Sequence, residues 1–169
     1  MKPANPLEVI GATDYVDLPE LGWYYASARI DSGATSSSIH CSSVKLIQEG
    51  ETPVLKVKLD SKRGAPEHCF TTSNFKETVV KNSSGLAEKR YVIKTVIELF
   101  GRKIRTEFSL ANRKKMRYPI LLGRKLLKGR FIIDVAQKDL SVKKKVINQN
   151  PEQQTLHDKP SESLPPSLK

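Results

Sequence analysis

Short runs in which apolar and polar side chains alternate constrain this fold most, because a strand with one buried face needs that period. The alternation is clearest at residues 53–59 and 103–110, whereas the wholly apolar run at 120–122 predicts a fully buried strand. Further strands are predicted at residues 7–10, 23–30, 75–80, 90–100 and 131–135, with one short helical turn at 125–128. Many short strands with little helix indicate an all-β barrel or sandwich.

The end of the chain differs in composition from the rest. From about residue 146 it is polar, holds four prolines and has no hydrophobic period. We therefore predict one folded domain over residues 1–145 and a polar, disordered tail over residues 146–169. No apolar run reaches the roughly 18 residues of a membrane helix, and the first ten residues lack the apolar centre of a secretory signal. We expect a cytoplasmic protein with no membrane partner.

The chain is strongly basic, with a formal net charge of +11. Its lysines and arginines cluster at residues 102–105, 113–117, 124–130 and 143–145. Such an excess fits a nucleic acid, an acidic substrate or an acidic protein partner, and it also fits a merely solvated surface. Few aromatic residues lie within the clusters, so a platform for base stacking is not evident.

Two His-Cys pairs, His40-Cys41 and His68-Cys69, raise the question of a zinc site. Neighbouring residues on a strand point to opposite faces, and the paired ligands of structural zinc are usually separated by two to four residues. We therefore predict no metal site, with one buried and one exposed member in each pair. The sequence also lacks His-Glu-x-x-His and P-loop motifs, so we expect neither catalytic zinc nor bound ATP, and no cofactor.

The residues Asp31-Ser32-Gly33-Ala34 follow the apolar run at 23–30 directly. Taken alone, Asp-Ser-Gly also fits an ordinary turn in which the carboxylate accepts nearby backbone N–H groups. A second apolar segment that ends in glycine, Ile120–Gly123, lies much later and is followed by Arg124. The order of these two segments, with a long β region between them, favours a catalytic role for Asp31 over an ordinary turn.

Together these segments resemble the retroviral-type aspartic proteases, the retropepsins. A closer resemblance exists to a bacterial retropepsin-like family that has carried the label of ATP-dependent zinc protease and is associated with RimK-type peptide ligases. It covers roughly residues 8–140. The segments that carry it are Ile10-Gly11, Leu18–Gly22, Asp31–Ala34, Ser36, Ile39, His40, Arg113, Met116–Pro119, Leu121–Arg124, Phe131 and Asp134.

The resemblance implies an acid-protease fold, which is a closed β-barrel with one short helix. It implies that Asp31 is catalytic, and that the supporting residues are Ser32, Gly33 and Ala34 in the active-site loop, with Gly123 and Arg124 behind it. This chemistry needs two carboxylates that share one proton, and the chain has a single Asp-Ser-Gly. We therefore expect a homodimer in which each chain supplies one Asp31. The substrate would be a peptide or protein, and the family's association with glutamate-adding ligases suggests acidic tails as one class.

Two details of the resemblance stay open. In many retropepsins an acidic residue follows the motif alanine and pairs with the arginine, but here that residue is Thr35. The mobile flap that covers the substrate has two candidates, the loop around Gly64 and the turn at Asn82–Gly85. Two other functions also stay open: an inactive protease scaffold that only binds, and a basic β-barrel that binds RNA, a ribosomal surface or an acidic protein.

Overall fold

The computed structural model describes residues 6–59, 68–81, 84–112 and 117–149. The strands are β1 Glu8–Ile10, β2 Thr13–Leu18, β3 Trp23–Ile30, β4 Ser37–Glu49, β5 Thr52–Leu59, β6 His68–Thr72, β7 Phe75–Lys81, β8 Ala87–Leu99, β9 Arg102–Ala111, β10 Ile120–Leu122 and β11 Phe131–Ile133. The helices are a 3-10 turn at Pro19–Leu21, α1 at Arg124–Leu127 and α2 at Leu140–Gln149. The helical turn predicted at 125–128 corresponds to α1.

Six of the strands close into a ring in the order β10, β3, β2, β8, β9 and β4. The ring closes because β10 pairs in parallel with β3, placing Leu122 beside Ile30, and antiparallel with β4, placing Ile120 beside Ile39. Outside the ring, β5 and β6 extend from β4, and β7 pairs with β8. These pairings confirm the predicted all-β closed barrel.

The core is built mainly from aliphatic side chains, together with the aromatic rings of Phe108 and Phe131. Fully buried large side chains include Ile39, Leu55, Ile97, Phe108, Ile120 and Leu122. Burying such a side chain contributes about 1.5–3 kcal/mol relative to leaving it in water. The three residues of β10 are all buried, as their unbroken apolar run predicts. The core therefore holds the two strands that lead into the Asp-Ser-Gly and Gly-Arg segments.

The first and last strands of the domain form a separate two-stranded sheet. Strand β1 pairs in parallel with β11, and the backbone N–H of Asp134 donates to the carbonyl of Ile10 at 2.9 Å. A Cβ on Gly11 would lie 2.4 Å from the carbonyl oxygen of Gln137, so only glycine permits this approach. The N–H of Ala12 donates to the same carbonyl at 2.8 Å. The Ile10-Gly11 segment thus fixes the contact between β1 and the segment that follows β11.

Helix α2 is a feature that the sequence pattern did not predict. It begins at Leu140 and continues to Gln149, so residues 146–149 extend an ordered helix beyond the predicted domain end at 145. Lys144 pairs with Glu8 at 2.9 Å, and Lys145 pairs with Asp17 at 3.1 Å. These two pairs join the helix to β1 and β2. The remainder of the predicted tail, residues 150–169, lies outside the described residues.

A buried carboxylate holds the start of α2 against the barrel. Asp14 is 1% exposed, and its Oδ2 accepts the backbone N–H of Ser141 at 3.0 Å. The Ser141 hydroxyl in turn accepts the N–H of Phe100 at 2.8 Å. Burial raises the pKa of Asp14, and the N–H groups of Ser141 and Tyr15 partly oppose that rise.

Within the described ranges, no helix is long and apolar enough to cross a lipid bilayer.

Candidate active site

Asp31 lies directly after β3, at the point where the ring closes. Its backbone N–H donates to the carbonyl of Leu122 at 2.9 Å, and the N–H of Ile30 donates to the carbonyl of Ala12 at 3.1 Å. Ala28 and Ile30, on the strand that leads to it, are buried, whereas Asp31 itself is partly exposed. The barrel therefore presents one carboxylate to solvent from a rigid strand end.

The loop that follows orients the carboxylate through backbone N–H groups. Asp31 Oδ1 accepts the N–H of Gly33 at 2.9 Å and that of Ala34 at 3.2 Å. A Cβ on Gly33 would lie 3.1 Å from the same oxygen, which is closer than an ordinary contact. None of the described residues donates to Oδ2. One carboxylate oxygen is thus held by the loop, and the other is left for solvent or a reacting group.

A second loop, between β10 and α1, packs against the Asp31 loop. A Cβ on Gly123 would lie 2.7 Å from the carbonyl carbon and oxygen of Ser36 and 3.0 Å from the carbonyl oxygen of Ala34. The N–H of Gly123 donates to the Ser37 hydroxyl at 3.1 Å, and the N–H of Arg124 donates to the Ala34 carbonyl at 2.9 Å. The two loops are therefore in backbone contact, which only glycine at position 123 allows.

Arg124 completes the contact between the loops with its guanidinium group. Its Nη1 donates to the carbonyls of Ser32 at 3.0 Å and Gly33 at 2.9 Å, and its Nη2 donates to the Thr35 hydroxyl at 2.8 Å. In place of an acidic partner at position 35, the arginine uses two backbone carbonyls and a hydroxyl. Arg124 therefore braces the loop that carries Asp31 without forming an ion pair there.

We expect an Arg124→Lys variant to lose about 1–2 kcal/mol of unfolding free energy, because one ammonium group cannot reach three acceptors in a fixed fork. Urea denaturation followed by circular dichroism measures the change. Thr35→Val removes only one of the three hydrogen bonds and should cost less than the lysine variant. Equal stability of the Arg124→Lys variant and the wild type would show that the guanidinium contacts do not hold the loop.

The hairpin of β7 and β8 extends beyond the ring. Residues 87–90 of β8 pair only with β7, residues 91–93 pair with both β7 and β9, and residues 94–99 pair with β9 and not with β7. The paired strands of this hairpin therefore continue past the ring, and the flap predicted at Asn82–Gly85 lies between them in the sequence. Residues 82–83 lie outside the described residues, as does Gly64 in the other candidate loop.

The His-Cys pairs do not form a metal cluster in the part of the chain that the structure describes, where no three His, Cys, Asp or Glu side chains come together. The prediction of one buried and one exposed member per pair is wrong for His40 and Cys41, which are 6% and 1% exposed. All five residues of β4 from Ser37 to Cys41 are buried, so both faces of the strand are covered at this point. His68 lies partly buried against the carbonyl of Leu21.

The two cysteines should differ sharply in reactivity. Burial raises the pKa of Cys41 to about 11, so little thiolate forms near neutral pH, whereas Cys69 is exposed. We expect iodoacetamide at about pH 8 to alkylate Cys69 rapidly and Cys41 slowly, since only the thiolate reacts. Mass spectrometry of digested peptides gives both rates. In denaturant the rates should converge, and similar rates in the native protein would contradict the buried position of Cys41.

The closed ring, the aspartate at the end of β3 and the Gly-Arg loop packed against it define a retropepsin-like protein. A family model described as "RimB-like: Retropepsin-like aspartic endopeptidase RimB" matches residues 9–144. The chain belongs to this family, which confirms the resemblance found in its sequence. Of the segments that carried that resemblance, Arg113 and Met116 lie outside the described residues.

The curated relatives are longer proteins. One, named "Probable alpha-L-glutamate ligase" from Desulfotalea psychrophila, is 37% identical over 134 residues, which is 76% of this chain and 28% of that protein. A protein of the same name from Shewanella pealeana is 31% identical over 131 residues, or 76% of this chain and 29% of that protein. This chain thus spans less than a third of either relative.

Among solved structures, the chain is similar to a protein of unknown function from Legionella pneumophila. The TM-score is 0.64 at 25% sequence identity, and the match covers 79% of this chain and 97% of that one. The described fold therefore has a counterpart over nearly the whole length of that chain.

Proposed function

We propose that this protein is an aspartic endopeptidase whose active site forms where two copies of the chain meet. The observation that carries the proposal is the Asp31 carboxylate. It is partly exposed, held through Oδ1 by the N–H groups of Gly33 and Ala34, and mounted on a loop that Gly123 and Arg124 lock in place. This construction holds a carboxylate rigidly while leaving an oxygen for chemistry.

Hydrolysis would use the two Asp31 carboxylates as a pair. Two carboxylates about 3 Å apart cannot both ionise, so the pair holds one proton. The ionised member takes a proton from water, whose oxygen forms a bond to the peptide carbonyl carbon. The protonated member hydrogen-bonds the carbonyl oxygen. The carbon–nitrogen bond then breaks as the leaving nitrogen gains a proton. A two-fold interface supplies the second aspartate, because both chains present the same surface.

We propose acidic peptides as the substrates. The chain carries a net charge of +11, which raises the local concentration of negatively charged segments near its surface. Its curated relatives are named as glutamate ligases, so peptides that contain runs of glutamate are the first class to test. The flap in this proposal is the β7–β8 hairpin, since it extends past the barrel wall.

The direct test pairs a cleavage assay with a measurement of mass. Peptides with a run of glutamates, and matched peptides with glutamines, are incubated with the protein, and the products are identified by mass spectrometry. Light scattering over a dilution series gives the oligomeric state. We expect a dimer that cleaves the glutamate peptides in preference to the glutamine peptides. A monomer at every concentration that cleaves neither peptide would favour the binding-only scaffold.

A further inference from the structure

Two basic clusters that are far apart in the sequence meet in one cleft. The start of β9 and the segment after α1 line a cavity of about 530 Å³ at the surface of the barrel. Its charged lining residues are Arg102, Lys103, Arg105, Lys128 and Arg130. We call this set the basic cleft. No acidic side chain is among its lining residues.

The charge of the basic cleft is only partly neutralised within the chain. Arg105 pairs with Glu20 at 2.6 Å, while Arg102 and Arg130 donate only to backbone carbonyls. Lys103 and Lys128 are exposed, and neither side-chain ammonium group makes a hydrogen bond or ion pair with any described residue. Four of the five cations therefore have no acidic partner in the part of the chain that the structure describes.

The side chains that line the basic cleft fit some classes of anionic partner better than others. Protein interfaces are anchored by apolar and aromatic side chains, and the apolar lining residue here, Ile104, is 9% exposed. No aromatic side chain lines the cleft, so it offers no platform for the unstacked bases of a single strand. Lysines and arginines alone are sufficient to contact the phosphates of a duplex, which needs no apolar anchor.

We propose that the basic cleft binds the sugar–phosphate backbone of duplex nucleic acid, with no readout of base sequence. Lys103 and Lys128 contact phosphates, and the arginines add contacts with their remaining donors. The lining residues do not include Asp31 or its loop, so this site does not depend on the proposed peptidase activity. It gives the protein a means of localising on a structured nucleic acid.

The test measures how binding depends on salt. Fluorescence anisotropy is recorded with a labelled RNA duplex and a DNA duplex of the same sequence, each roughly 20 base pairs, between about 50 and 200 mM salt. The logarithm of the binding constant should fall linearly with the logarithm of the salt concentration, by about 0.9 for each phosphate neutralised. Equal binding of both duplexes identifies the phosphates as the ligand, and tighter binding of RNA identifies RNA as the partner.

A pair of charge-matched variants locates the site. Lys103→Ala/Lys128→Ala should weaken binding at low salt and reduce the slope by about 2, one unit for each lost phosphate contact. The control is Lys45→Ala/Lys56→Ala, which removes two exposed lysines that pair across β4 and β5 and should leave the slope unchanged. The proposal is overturned by absence of binding at low salt, by equal slopes in both variants, or by poly-glutamate displacing the duplex at an equal concentration of charge.

Discussion

The Asp31→Asn variant is expected to lose peptide cleavage by about 10²–10⁴-fold or more, the range for removal of an acid–base group. Asparagine has the shape of aspartate, and its side-chain oxygen can still accept the N–H groups of Gly33 and Ala34. It cannot take a proton from water. The variant should therefore fold and associate as the wild type does, and initial rates of cleavage of glutamate-rich peptides measure the loss.

A mixing experiment separates a shared active site from one that each chain holds alone. Excess Asp31→Asn chain, allowed to exchange with the wild type, should suppress activity, because mixed dimers contain a single aspartate. Activity that stays proportional to the amount of wild type would contradict a shared site. The matched control is Asp139→Asn, since Asp139 has a φ of 59°, a conformation that asparagine tolerates, and should leave cleavage intact.

Gly123→Ala is expected to cost about 1–3 kcal/mol of unfolding free energy, the usual range for overpacking, and to abolish most of the cleavage activity. The added methyl group would lie 2.7 Å from the backbone of Ser36 and 3.0 Å from that of Ala34. Backbone atoms cannot move aside as a flexible side chain can. The methyl group therefore displaces the loop that carries Asp31, and thermal denaturation together with cleavage rates detects both effects.

The control for this substitution is Gly101→Ala, which tests whether loss of stability alone explains loss of activity. Gly101 has a φ of 70° and nothing within 4 Å of the position of an added Cβ. Alanine there should cost about 1–2 kcal/mol through backbone strain, yet leave the Asp31 loop undisturbed. If Gly101→Ala and Gly123→Ala lose activity equally, the contact between the two loops has no special role.

Much of the β structure was predictable because several strands are either alternating, as at 53–59, or wholly apolar, as at 120–122. Strand β2 was missed, although its inward positions follow a perfect alternation of Asp14, Val16 and Leu18. An aspartate at a buried position hides the hydrophobic period, and its reason for being there is the start of α2, far along the chain. Helix α2 was also missed, because the residues that hold it in place, Glu8, Asp14 and Asp17, are far from it in the sequence.

The candidate site was predictable only in part. The motif located Asp31 and the Gly123-Arg124 segment, but the acceptors of Arg124 are mainly backbone carbonyls, which every residue has and no sequence pattern marks. Ser37 was missed although it receives the N–H of Gly123, because a run of small polar residues predicts a surface loop and not a buried strand. Such residues are buried here because a neighbouring loop supplies their hydrogen bonds.

Closure of the ring by β10 determines when, during synthesis, the Asp31 loop can form. Arg124 and Ser32, which hydrogen-bond each other, are 92 residues apart in the chain. A nascent chain that has emerged only through β9 therefore contains the aspartate but none of the groups of β10 and α1 that hold its loop. Pairings this distant are typical of barrels that fold in milliseconds to seconds. The ribosome-bound chain thus cannot complete the contacts of the Asp31 loop until β10 and α1 have both emerged.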